Sequence, residues 1–451
     1  MKLIEHLLKV NGEQPAIYSS SGEIKYQEII DEARKYSERL SGKRVALHCS
    51  NIIDSVTFMV AVDSFGSSLV LLQPEEELSV TANLIEESEV DFVISDSVNK
   101  LQELVTVPVF PSLSHAVETT PPFLGKAVEE DARWVVSTSG TTGKPKLVEH
   151  SLYSLTRTSK NDKSKGCKHI WGLLYGFTRF AGLQVVLQSL LSGSTLIAPN
   201  TQSSLSCKLN MLSEYNCTHL SATPTMWRKI LMEPSSKNLN LTQITLGGEI
   251  SDGKVLTGLK QTYPNAYVTH IYASTEAGVG FSVKDGEPGF PASYLTAPPN
   301  GIEIKIIDGR LWIKNQYVSS EYMGKGGCVS KDGWVDTGDN VELTSDRVFF
   351  LGRGNGVINV GGNKVHPETV ETALLSHSLV SEARVYAKKN PIMGALVIAD
   401  IVLSDKDVIN KSVTEDIKKF LENKLEPFMI PAIVKVVDKL SVNSAGKLAR
   451  K

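Results

Sequence analysis

The chain has 451 residues, 41% hydrophobic and 22% charged, with 47 Lys plus Arg against 50 Asp plus Glu. At roughly 150 residues per domain this is material for two or three domains with large cores, which excludes a disordered, collagen-like or disulfide-stapled chain. A formal charge of −3 offers no global basic field for nucleic acid, and five scattered cysteines without a C-x-x-C pair speak against zinc and for a reducing cytoplasm.

Glu5, His6 and Lys9 interrupt the apolar N-terminal stretch, so no secretory signal is expected. No apolar run approaches the roughly 20 residues that span a bilayer. Up to about residue 280, short apolar runs predict buried strands at 45–49, 68–72, 91–95, 134–138, 194–198, 218–222 and 267–272. Helix-length segments such as 53–66, 79–88 and 203–215 lie between them, the pattern of parallel sheets covered on both faces. The Pro- and Ser-rich stretch 107–123 reads as a connecting loop. Beyond about 300, the runs 301–307, 310–315, 340–344 and 347–352, with Asp-Gly turns, predict short antiparallel strands. The last hundred residues predict a helix at 367–376, strands at 380–387 and 394–403, a helix at 413–425 and a strand at 434–438. From Asn355 to the end, 14 basic and 11 acidic residues give +3, a charge balance of its own. The expected class is α/β with α+β character. A large domain (1–354) combines parallel-rich sheets, flanking helices and a small β-barrel-like subdomain, and a small mobile α+β domain follows (355–451).

The strongest chemical signal is STSGTTGKPK (137–146), directly after a predicted strand. Seven Ser, Thr or Gly residues and two lysines in ten can offer N–H groups, hydroxyls and charge to a polyphosphate. A P-loop is rejected. Thr138 stands where its first glycine belongs, and Pro145 follows Lys144 where a Mg²⁺-binding hydroxyl and a helix start are needed.

Residues 139–146 match S-G-T-T-G-x-P-K, and the chain resembles the adenylate-forming superfamily of acyl-CoA synthetases, adenylation domains and luciferases. Further motifs follow in family order: GGE (247–249), YASTEAG (272–278), DGWVDTGD (332–339), the stretch 350–371, and NSAGKLAR (443–450). The resemblance implies a phosphate loop of Thr138, Ser139, Gly140, Thr141, Thr142, Gly143 and Lys146. It places Gly247, Gly248 and Glu249 along an adenine, with Tyr272, Ala273 and Ser274 beside it; Ala273 replaces the usual glycine. Thr275 would bond the α-phosphate and Glu276 would hold Mg²⁺, a hard cation suited to a carboxylate. Asp339 would accept from both ribose hydroxyls, with Arg353 assisting. Asn355 falls at the interdomain hinge in place of the usual Asp or Lys. Gly361 and Gly362 fall at the thiol channel, and Lys447 would be the catalytic lysine.

The resemblance further places an acyl pocket at 172–187 and 218–227, with Thr178, Arg179, Gly182 and Thr223 as candidates. Arg179 would face either an anionic or polar group on the substrate or a structural carboxylate. The implied activity is an AMP-forming acid–thiol ligase: ATP and Mg²⁺ activate a small or aromatic carboxylic acid, and CoA accepts the acyl group. The alternative acceptor is a carrier-protein phosphopantetheine. The rival from another class is a non-catalytic nucleotide-binding protein, which the presence of Glu276, Asp339 and Lys447 disfavours. The acid, the pathway and the oligomeric state are not legible.

Overall fold

A computed structural model of the protein describes residues 2–119, 131–138, 145–316, 332–390, 393–404 and 413–441. Two large sheets form the bulk of the chain up to about residue 283. In the first, eight strands are ordered Gly278–Val283, Tyr267–Ser274, Gln243–Gly247, His219–Ala222, Ile170–Leu173, Thr195–Ala198, Pro15–Ser19 and Gly22–Lys25. Its interior is parallel and one antiparallel strand closes each end. In the second, the order is Val109–Phe110, Phe92–Ser95, Arg44–His48, Ser68–Leu71, Arg133–Ser137 and Leu147–Ser151, parallel but for the last strand. The fully buried patterns of Ser68–Leu71 and Thr195–Ala198 are what a sheet covered on both faces demands.

One core joins the sheets. Ile17 and Leu196 come from the first, Leu47, Leu69 and Trp134 from the second, and the helices Ile52–Phe65 and Phe180–Ser192 fill the space around them. Helix Ile52–Phe65 is apolar on every side and buries eleven of its fourteen residues, as a helix inside a large core must. Asn51 caps it by accepting from the Ile53 N–H at 3.0 Å. Its one buried carboxylate, Asp63, accepts from the Trp134 indole at 2.7 Å and the Leu3 N–H at 2.6 Å, which ties the N-terminus to the core.

The stretch expected to be a plain loop is a correction. It holds a strand, Val109–Phe110, and a helix, Leu113–Thr119. Leu113 and Ala116 are buried in the shared core, so tertiary burial overrides the Pro and Ser signals. Five antiparallel strands follow, ordered Phe290–Pro291, Arg347–Arg353, Trp334–Leu343, Arg310–Lys314 and Glu303–Ile307, around Phe290, Leu311, Ile313 and Val348. The residues from 358 onward have a separate core of Val365, Leu374, Ala399, Ile401 and Ile417. Strands Val380–Asn390 and Gly394–Leu403 form its hairpin, and the helices Pro367–Leu375 and Val413–Glu422 cover it.

Candidate active site

The carboxyl ends of the parallel strands, where ligands settle in open α/β sheets, hold most of the candidates. Strand Arg133–Ser137 leads into the Ser/Thr/Gly loop, whose base is closed by two bonds. The Thr138 N–H donates to the Lys146 carbonyl at 2.8 Å, and the Lys146 N–H donates to Thr138 Oγ1 at 2.9 Å. Ser139, Gly140, Thr141, Thr142 and Gly143 lie outside the described residues, as does Lys447.

Three segments meet at Tyr272, Asp339 and Arg353. Strand Tyr267–Ser274 delivers Tyr272, which stacks with its cross-strand partner Phe281 (centroids 5.2 Å apart, 14°) and with Phe350 (5.1 Å, 7°). The ring that the resemblance sets beside adenine is therefore already clad in phenylalanine. Its hydroxyl donates to Asp339 Oδ2 at 2.5 Å. Burial, and then the Asp339 charge, push the phenol well above its ordinary pKa, so it remains a donor. Arg353 sits opposite Asp339 in the ladder of Trp334–Leu343 with Arg347–Arg353, and its Nε donates to Asp339 Oδ1 at 3.2 Å. Burial works against the guanidinium charge, but Asp339, Tyr272 and Glu276 outweigh it and raise its pKa. Glu276 thus lies within electrostatic reach of the Asp339–Arg353 pair.

Asp339 has about four lone-pair positions on two oxygens. Tyr272 takes one on Oδ2 and Arg353 one on Oδ1, which among the described residues leaves one acceptor position on each oxygen. That remainder suits a vicinal diol. Thr275 and Glu276 lie in the turn after Ser274, and the Ser274 hydroxyl accepts from the Ala277 N–H at 3.0 Å. The serine is a turn cap, and the strand register shifts between Tyr272 and Ala273, as at a bulge. Gly247 ends strand Gln243–Gly247, and Gly248 follows at φ +81°, a conformation that favours glycine and leaves bare backbone on this side. Glu249 Oε2 accepts from the Thr225 N–H at 2.9 Å, at the start of helix Pro224–Met232.

The four acyl-pocket candidates all have structural tasks. Thr223 is the N-cap of that helix, accepting from the Met226 N–H at 3.1 Å. Thr178 is buried against Gln73, whose Nε2 donates to the Thr178 carbonyl at 3.1 Å and to Ser137 Oγ at 3.2 Å. Arg179 meets Glu75, with Nη2 3.3 Å and Nε 3.4 Å from Oε1. Of the two partners open to it from sequence, the structural carboxylate is thus present. At Gly182 an added Cβ would stand 2.1 Å from the Gly176 carbonyl oxygen, so only glycine lets helix Phe180–Ser192 pack there. Gln73 and Glu75 carry no motif signal; only the fold brings them to this rim.

Asn355 lies in a short 3₁₀ turn, Gly354–Gly356, after strand Arg347–Arg353. Gly361 (φ +57°) and Gly362 (φ +90°) make the two-residue turn between strands Ile358–Val360 and Asn363–Val365. They line an open groove of about 620 Å³ with Val357, Ala387, Met393 and Gly394, all from the small domain.

Residues 4–323 match the family model described as AMP-binding enzyme, and residues 369–447 match that of the AMP-binding enzyme C-terminal domain. The chain belongs to the AMP-binding enzyme family. Among the relatives of this AMP-binding enzyme is a D-alanine–D-alanyl carrier protein ligase of Staphylococcus aureus. It is 24% identical over 98% of this chain and 96% of its own length. A plipastatin synthase of Bacillus subtilis is 25% identical over 72% of the chain, and gramicidin S synthase 2 of Brevibacillus brevis 23% identical over all of it. The matched regions make up only 14% and 11% of those two synthases.

The fold is that of solved ligases. An anthranilate CoA ligase in complex with anthranoyl-AMP superposes with a TM-score of 0.84 at 16% identity, covering 99% of this chain and 95% of that one. ATP-bound MatB from Rhodopseudomonas palustris gives 0.81 at 20% identity, covering 99% and 97%. An o-succinylbenzoate CoA synthetase from Bacillus subtilis, in complex with ATP and magnesium, gives 0.76 at 22%, covering 99% and 98%. Among the described residues no helix is long and apolar enough to cross a membrane.

Proposed function

We propose that this AMP-binding enzyme is an AMP-forming acid–thiol ligase with two units, 1–354 and 355–451. The observation that carries the reading is Asp339, tethered by Tyr272 and Arg353 with one acceptor position left on each oxygen among the described residues, and with Glu276 within electrostatic reach of Arg353. A vicinal ribose diol fills those positions. Bare backbone at Gly247 and Gly248 lies along the adenine, and Thr275, Lys146 and the loop from Thr138 to Gly143 receive the phosphates.

The residues fit Mg²⁺. Among the described residues no three His, Cys, Asp or Glu converge on a metal cage, whereas Mg²⁺ commonly takes one or two carboxylates and completes its shell with water and phosphate oxygens. Glu276 is that carboxylate. The ion, when bound, supplies charge neutralisation on the phosphates.

A carboxylate oxygen of the acid attacks the α-phosphorus, the bond to the bridging β-oxygen breaks, and pyrophosphate leaves. Two anions must meet, so the work of the protein is positioning and charge neutralisation, with Lys447 and the loop donors supplying positive charge. The thiol sulfur then attacks the acyl carbon, the bond to the phosphate oxygen breaks, AMP leaves and the thiol proton passes to solvent. Small-domain rotation about Asn355 would bring the Gly361–Gly362 turn to the thiol. CoA is the acceptor in the first reading. A carrier-protein phosphopantetheine is the second, supported by the near full-length match to the carrier-protein ligase.

A panel of carboxylic acids scored for pyrophosphate release, then for AMP release with CoA or a carrier, tests the proposal. Release of ADP, or no acid-dependent pyrophosphate from any acid, would refute it.

A further inference from the structure

Strand Leu147–Ser151 leaves the base of the phosphate loop and carries a histidine that the proposed reaction does not use. His150 lies opposite Trp134 in the ladder with Arg133–Ser137 and shares its face, turned into the core between the two large sheets. It is 2% exposed. Its ring is 5.7 Å from Phe180, at 41°, the first residue of the helix that packs onto Gly176. Among the described residues neither ring nitrogen has a partner in hydrogen-bond geometry. A polar group facing it is the Thr275 backbone, near enough to favour a proton on the ring but short of full hydrogen-bond geometry. Burial pushes the imidazole down to about 4, so at neutral pH it is uncharged and carries one N–H.

A buried polar group with no partner costs free energy in every state that leaves it so. His150 touches three segments that the reaction must align: the strand leaving the phosphate loop, the start of helix Phe180–Ser192, and the Thr275–Glu276 turn. A small inward movement of that turn would complete the missing bond.

We propose that His150 is a positioning residue for adenylation, whose N–H takes the Thr275 carbonyl when ATP draws the turn inward and so fixes Thr275 and Glu276 against the phosphates. This rests on the proposed function above. A finished adenylate keeps the α-phosphate but has lost the pyrophosphate, so a bond that fixes both Thr275 and Glu276 contributes more to the first half-reaction than to acyl transfer.

The test compares His150→Phe, which keeps the contact with Phe180 but has no N–H, with His150→Asn and His150→Gln, whose amides reach the two ring-nitrogen positions. Acid-dependent ATP–pyrophosphate exchange, thioester formation from a supplied acyl-adenylate, and melting temperature are measured for each. Exchange by His150→Phe is expected to fall about tenfold to a hundredfold, the effect of losing one buried hydrogen bond. Thioester formation should fall clearly less than exchange, and one of the two amides should restore part of the exchange. Undiminished exchange in His150→Phe, an equal fall in both half-reactions, or no recovery by either amide would overturn the proposal. Absence of exchange in the parent chain would overturn the functional reading as well.

Discussion

Replacing Tyr272 by Phe removes one oxygen and leaves the stack with Phe281 and Phe350 in place. The lost bond is a 2.5 Å hydroxyl-to-carboxylate contact in a half-buried setting. Hydrogen bonds to charged groups contribute about 1.5–3 kcal/mol, and because this one exists before ATP arrives, most of that is stability rather than affinity. Affinity suffers through orientation. With Tyr272 gone, Asp339 keeps Arg353 Nε at 3.2 Å on one oxygen and can turn on that single tether. Re-ordering a freed side chain costs about 0.5–1.5 kcal/mol, so KM for ATP should rise about twofold to tenfold. ATP titration of pyrophosphate exchange at saturating acid gives that number, and a melting curve gives the stability loss. A lowered melting temperature with unchanged KM for ATP would refute the idea that Tyr272 orients a diol acceptor. An equal rise in KM for the acid would refute its assignment to the nucleotide side.

Arg179→Leu should lower the melting temperature slightly and leave the ranking of acids unchanged, because Arg179 already meets Glu75 and a pair with one partly exposed member contributes about 1 kcal/mol or less. A ranking shifted towards apolar acids would show that the guanidinium also reads substrate. Gly182→Ala should be strongly destabilising, since its methyl meets backbone at 2.1 Å, whereas Gly176→Ala meets side chains at 3.7 Å and should melt near the parent. Burial pushes Asp63 up to about 6 from an ordinary 3.8, so the fold binds its proton more tightly than the unfolded chain does. This group's contribution to stability is therefore present below about pH 4 and is lost as pH rises towards 6. The stability of the parent relative to Asp63→Asn should fall by up to about 3 kcal/mol across that window in denaturant titrations, and a flat difference would contradict the shift. Lys254→Met removes an ammonium that donates to the carbonyls of His377 (3.0 Å) and Val380 (2.6 Å), next to the Lys229–Glu382 pair at 3.9 Å. Limited proteolysis near Asn355 should quicken, with little change in melting; unchanged cleavage would mean that these contacts do not hold the small domain.

Where the chain order itself carried the signal, sequence and structure agree closely. The seven predicted strands before residue 280 lie within a residue or two of those observed. Six of them are buried nearly throughout, and a strand buried on both faces must be apolar and needs polar or glycine ends. Helix 79–88 is observed as Leu78–Ser88, its buried residues Thr81, Ala82, Leu84, Ile85 and Ser88 recurring at helical spacing. The helix at Leu113–Thr119 was not legible, since its stability comes from Leu113 and Ala116 meeting the shared core rather than from propensity. Arg179 shows the same limit at the site. Its charge told that a partner must exist, but Glu75 lies 104 positions away and no spacing rule links them.

Sequence by itself determined the class of chemistry, because backbone-rich loops, an acidic residue after a strand and a glycine pair at a turn are local devices whose residue types follow from what they bind. The tertiary structure alone decided which groups remain available. Tyr272 and Asp339 are 67 positions apart, and only the meeting of a strand near the edge of one sheet with the middle of another spends one lone pair on each Asp339 oxygen and leaves one. Among the described residues His150 lacks a partner in hydrogen-bond geometry for the same reason. Hydrogen-bond satisfaction is a property of three-dimensional neighbours, so the chain order that names the candidates cannot say which are already committed.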